Sequence, residues 1–264
     1  MSTDTPSRLT AAFRQGRPAL VAYLMGGYPD RAGSLAALRA VARAGADVIE
    51  LGVPYADPLA DGPMIQHAAE VARAQDGGFG LAETLDLAAE ATVTEGMPPL
   101  VIMTYLNPMM RFGLPRLAER AAEAGVAGFI VPDLPPDNPM AVQWCAVASA
   151  QGIDTVFLAA PTSTPERLSL VGVSSRGFVY VVSSLGVTGE RAELPAELKE
   201  LVARVRASTT LPVAVGFGVS TPEHAVAVAS IADGVIVGSA LVRRQDDPDE
   251  LGRFVSELAS VVHM

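Results

Sequence analysis

Eight short apolar runs recur along the chain, and a helix-patterned stretch follows nearly every one. The runs are PALVAYLMG (18–26), DVIELG (47–52), PLVIMTYLN (99–107), GFIVPDLPPD (128–137), DTVFLAA (154–160), GFVYVVSSLG (177–186), LPVAVGFG (211–218) and ADGVIVGSA (232–240). Runs this short and this continuously apolar read as strands buried on both faces, which is the habit of parallel sheets covered by helices. Helical spacing fills the intervals at 31–45, 63–75, 81–93, 114–125, 138–151, 164–173, 193–208, 221–230 and 248–263, with a further short helix at 5–15 placed to plug or cap the domain. No linker, low-complexity segment or composition break interrupts the alternation. The pattern predicts an α/β fold: a (β/α)8 TIM barrel with an extra N-terminal helix, in a single domain spanning 1–264. A doubly wound open sheet is the alternative, weakened because no G-x-G-x-x-G follows the first strand.

Composition narrows the function. Half the residues are hydrophobic and 18% are charged, so a large core is available, and the net charge of −10 argues against a nucleic-acid partner. An acidic chain that binds an anion must do so locally, through backbone N–H groups and helix N-termini. No apolar leader or long apolar run is seen, so neither a signal peptide nor a membrane span is expected. A single cysteine, Cys145, excludes an internal disulfide and points to a reducing, cytoplasmic setting. His67, His224 and His263 have no metal-ligand spacing, and no metal is expected.

The chemistry concentrates in IELGVPYADPLADGP (49–63). Glu50 sits inside an apolar strand, where a carboxylate is costly unless it is paired or used. Asp61 follows in the loop leaving that strand, on the face where barrel enzymes hold their active sites. Two acids in different surroundings can divide a proton-transfer task. Asp61 and Asp57 can equally be turn residues, and Glu50 can be half of a buried ion pair. GFG (216–218) and VGSA (237–240) follow the seventh and eighth strands, the usual phosphate site of such barrels. LGVTGERAELP (185–195) is long for a barrel connection and reads either as a closing loop or as an ordinary surface loop. The residues alone therefore imply a barrel acting by carboxylate acid–base chemistry on a small phosphorylated molecule.

Together with LMGGYPD (24–30), VIMTYLNP (101–108), GFIVPDLP (128–135), SLGVTG (184–189), GFGVS (216–220) and VGSA (237–240), that stretch closely resembles the tryptophan synthase alpha subunit family along nearly the whole chain. The resemblance implies retro-aldol cleavage of indole-3-glycerol phosphate with no cofactor. It further implies an α2β2 assembly in which indole passes to a pyridoxal-phosphate beta subunit. By the family pattern Glu50 moves the protons and Asp61 accepts the indole N–H. Tyr180 would stand beside the catalytic glutamate, Tyr23 and Tyr105 would line the indole pocket with Phe217 nearby, and Gly189, Gly218, Gly238 and Ser239 would cradle the phosphate. Thr188 would bond the catalytic aspartate when its loop closes. One departure stands out: Ser184 occupies a position where the family usually has arginine, with Arg191 a candidate replacement. Loops 53–62 and 185–195 and the segment 132–139 would face the partner.

Overall fold

The computed structural model describes residues 6–58, 61–182, 194–216 and 218–264. Its strands are β1 (Ala19–Met25), β2 (Val48–Gly52), β3 (Leu100–Met103), β4 (Gly128–Ile130), β5 (Asp154–Val156), β6 (Leu158–Ala159), β7 (Val179–Val182), β8 (Val213–Gly216) and β9 (Gly234–Val237). The helices are α1 (Arg8–Ala12), α2 (Arg31–Arg43), α3 (Pro63–Arg73), α4 (Leu81–Thr92), α5 (Leu106–Phe112), α6 (Leu114–Glu123), α7 (Pro139–Ala150), α8 (Pro165–Ser174), α9 (Ala196–Arg206), α10 (Pro222–Ala229), α11 (Ser239–Val242) and α12 (Pro248–Val262).

All strand pairs are parallel, in the order β5-β4-β3-β2-β1-β9-β8-β7-β6. The two ends of that order, β5 and β6, are separated in the chain by Phe157 alone. They are the two pieces of the run expected at 154–160: the first pairs with β4 and the second with β7. Across this divided strand the sheet closes into the expected (β/α)8 barrel.

Alternation along the strands sorts side chains into two layers. Leu20, Ala22, Leu24, Ile49 and Leu51 face outward into the large core shared with the helices. Val21, Val48, Val101, Phe178, Ala214 and Ile236 face inward, and Leu9, Ala12 and Phe13 of the α1 segment join them. The short helix therefore plugs the barrel end at which the strands begin. Ser7 caps it by accepting the Thr10 N–H at 3.2 Å, and the Thr10 hydroxyl donates to the Gly177 carbonyl at 2.9 Å. Phe13 lies against Gly234, where a Cβ would stand 2.5 Å from the ring.

The structure revises several boundaries. The third strand stops at Met103, and 106–112, part of which was read as strand, is helix α5. Pro108 sits in the first turn, where no intrahelical N–H is needed. The Leu106 N–H is instead taken by Asp133 Oδ1 at 2.9 Å, a cap supplied from a distant loop. The eighth run ends at Val237, after which Ser239–Val242 form α11. The fourth strand covers only Gly128–Ile130, and α1 is shorter than the 5–15 expected.

Candidate active site

Two residues beyond the apolar plug on β1, β2 and β7, the inner face changes character. Val21 is followed inward by Tyr23, Val48 by Glu50, and Phe178 by Tyr180, as a period of two requires. The strand register sets Tyr23 beside Glu50. A carboxyl group and two phenols thus share one level near the strands' C-terminal ends. Asp61 joins them from the loop before α3, whose backbone is held by the Gln66 amide donating to the Asp61 carbonyl at 2.7 Å.

Glu50 is fully buried, and neither carboxyl oxygen has a hydrogen-bond partner among the described residues. Burial, helped by the negative charge of Asp61, pushes its carboxyl up to about 8. At neutral pH the group therefore keeps its proton. Burial also raises Asp61, opposed by the Tyr105 hydroxyl, which donates to Asp61 Oδ2 at 3.4 Å. Tyr105 is steadied in turn by Tyr55, whose ring stacks on it at 5.1 Å, and the Tyr55 hydroxyl accepts from Asn107 Nδ2 at 3.1 Å.

The phenols of Tyr23 and Tyr180 are raised by burial and then by the charges of Glu50 and Asp61, so both remain hydrogen-bond donors. Each has a glycine beside it. A Cβ on Gly52 would lie 2.2 Å from the Tyr23 hydroxyl, and one on Gly216 would lie 2.7 Å from that of Tyr180. These two glycines give the phenols their room. Their part went unseen in sequence, where Gly52 read only as a strand end and Gly216 as part of the glycine-rich GFG (216–218) expected at the phosphate.

Gly238 and Ser239 open α11 alongside this group. The outer side of Gly238 faces Tyr23 and Ile65, and the Ser239 hydroxyl lies 3.9 Å from where a Cβ on Gly62, next to Asp61, would stand. Gly218 follows β8 with φ +62°, a left-handed turn that suits glycine. Glu50, Asp61, Tyr23, Tyr105 and Tyr180 are thus drawn together, with Gly238 and Ser239 at their edge. Thr188, Gly189 and Phe217 lie outside the described residues, as do Ser184 and Arg191. A cavity of about 550 Å³ at the opposite end of the barrel, lined in part by Thr10, Arg14, Asp154 and Arg176, contains none of these groups. Among the described residues no three His, Cys, Asp or Glu side chains gather as metal ligands.

The arrangement can deliver and retrieve a proton at Glu50 and can offset positive charge at Asp61. Comparisons with known proteins give the family. The family model described as tryptophan synthase alpha chain matches residues 9–262. A tryptophan synthase alpha chain from Solibacter usitatus is 49% identical over 94% of this chain and 91% of its own, and one from Dehalococcoides mccartyi is 44% identical over 96% and 98%. Among solved structures, Mycobacterium tuberculosis tryptophan synthase superimposes with a TM-score of 0.90 at 43% identity, covering 98% of this chain and 100% of that one. The Legionella pneumophila subunit alpha gives a TM-score of 0.87 at 31% identity, over 98% and 99% of the two chains.

Proposed function

The chain belongs to the tryptophan synthase alpha chain family, and from that premise we propose that it is the lyase that splits indole-3-glycerol phosphate into indole and glyceraldehyde 3-phosphate. The observation that carries this reading is Glu50, a fully buried carboxyl with no hydrogen-bond partner among the described residues, held protonated near neutrality beside a second acid. Cleavage of the bond between indole C3 and the glycerol carbon needs a proton at C3, which turns the indole into a leaving group. It also needs the adjacent hydroxyl to lose its proton as the aldehyde forms. A carboxyl with a pKa of about 8 gives up the first proton readily, and its carboxylate then takes the second. The side chain ends as it began, and the proton count balances.

Asp61 accepts the indole N–H and offsets the positive charge that grows on the protonated ring, an effect worth about 3 kcal/mol in the transition state. Tyr23 and Tyr105 line the indole pocket with Phe217 nearby, and Tyr180 stands beside Glu50. Gly189, Gly218, Gly238 and Ser239 hold the phosphate through backbone N–H groups and one hydroxyl, which suits a protein of net charge −10. Thr188 bonds Asp61 as its loop closes. The subunit uses no cofactor of its own; pyridoxal phosphate belongs to a beta subunit that receives the indole within an α2β2 assembly. That complex works in the cytoplasm, with residues 1–264 acting as one barrel domain. No helix among the described residues is long and apolar enough to cross a membrane.

Indole release from indole-3-glycerol phosphate, with and without a beta subunit, tests the reading. Wild type is expected to be slow alone and faster with the partner. Glu50→Gln should abolish release, and Asp61→Asn should lower kcat about a hundredfold, the equivalent of about 3 kcal/mol. No cleavage under any condition would sink the assignment.

A further inference from the structure

β1 outruns its neighbour β9. Their ladder ends at Ala22 and Val237, because the chain leaves β9 at Gly238 to begin α11, while Tyr23, Leu24 and Met25 continue the strand. On its other side β1 is paired with β2 to its end, Met25 with Gly52. Backbone groups of successive residues point to alternate sides of a parallel strand. The Leu20 carbonyl accepts from Asp47 and the Gly26 N–H donates to Gly52, both toward β2, whereas the Ala19 N–H donates to Asp233 toward β9. Met25 shares the parity of Ala19, so its N–H and C=O face the space that β9 no longer fills.

The side chain of Gln245 fills that space. It is fully buried; its Oε1 accepts the Met25 N–H at 2.9 Å, and its Nε2 donates to the Met25 carbonyl at 2.7 Å and to the Tyr28 carbonyl at 2.8 Å. A side-chain amide carries the same donor and acceptor as a peptide group. Gln245 therefore stands in for one more residue of β9. Val242, three positions earlier, packs with Tyr23, Met25, Ala68 and Ala69. The turn that begins at Gly238 and Ser239 is thereby pinned to the end of the strand that carries Tyr23.

We infer that Gln245 is a positioning residue, which sets the distance between the phosphate-holding start of α11 and the indole-facing end of β1 so that both halves of one substrate are engaged together. The inference rests on the substrate reading above. Being fully buried, Gln245 acts through the backbone it holds. Gln245→Met keeps the length of the side chain and removes all three hydrogen bonds; Gln245→Glu keeps an acceptor for the Met25 N–H and loses the donors.

The test compares fragments with the whole. In Gln245→Met, dissociation constants for indole alone and for glyceraldehyde 3-phosphate alone should stay within about twofold of wild type, while KM for the joined substrate rises about tenfold or more, because only the joined molecule depends on the spacing. An unchanged KM, or fragment affinities that weaken as much as the whole, would overturn the inference. A urea midpoint establishes that the variant is folded; if Gln245→Met is not, the same comparison on Gln245→Glu decides. Wild type that binds neither fragment would overturn the substrate reading and this inference with it, whereas a fully active variant overturns the inference alone.

Discussion

Between the pH at which an ordinary glutamate ionises and about 8, Glu50 is protonated in the folded protein and ionised in the unfolded chain. The folded state binds the extra proton there, so stability is greatest below that window and declines as pH rises through it. The decline is at most about 1.4 kcal/mol per pH unit. Glu50→Gln has no such proton to lose. Urea unfolding from pH 5 to 8 should therefore show the wild type losing ground steadily to the variant, and a difference that does not change with pH would mean that Glu50 is not protonated at neutrality. That residue was legible in the sequence because a charge inside an apolar strand has few inexpensive explanations. Asp61 was legible by its place after the strand. Gly52 and Gly216 were not, because what they provide is space for a phenol on a neighbouring strand, and no one-dimensional pattern records an empty volume. Gln245 was hidden for a related reason: in RRQDD it looks like surface, and only the early departure of β9 makes it core.

The strands were the most readable elements. Buried on both faces, each leaves an uninterrupted apolar run that needs no partner to be noticed. α5 and α11 were misread because their starting signals are tertiary: Asp133 caps one from a distant loop, and the other begins at the abrupt turn of Gly238. α1 was expected as a plug, and its apolar side chains do fill the barrel end. Leu9 is completely buried against both the inner strands and Gly128, where a Cβ would lie 2.7 Å from its Cδ1. Leu9→Ala should cost about 2–5 kcal/mol, since the barrel end cannot collapse around the missing atoms. Because the plug lies at the opposite end from Glu50, the urea midpoint should fall while kcat of the folded fraction holds. A matching loss of kcat would show that the plug also shapes the site.

For the whole molecule, the alternation of strand and helix announced a barrel, but not how the barrel closes. Closure runs through a strand divided at Phe157, whose two pieces bond to different neighbours. The divide also separates labour. Tyr23, Glu50, Asp61 and Tyr105 precede it, whereas Tyr180, Gly218, Gly238 and Ser239 follow it. A chain cut at this joint would yield two half-barrels, one carrying the proposed acid–base pair and the other most of the proposed anchor for the phosphate. Each would keep its own strand ladders, and α1 of the first would still bring Phe13 to cover Phe178 of the second. Co-expressed pieces 1–156 and 157–264 should restore indole release that neither piece shows alone. The seam would then mark where the barrel can be reassembled from two separate pieces, with catalysis as the reporter of their reunion.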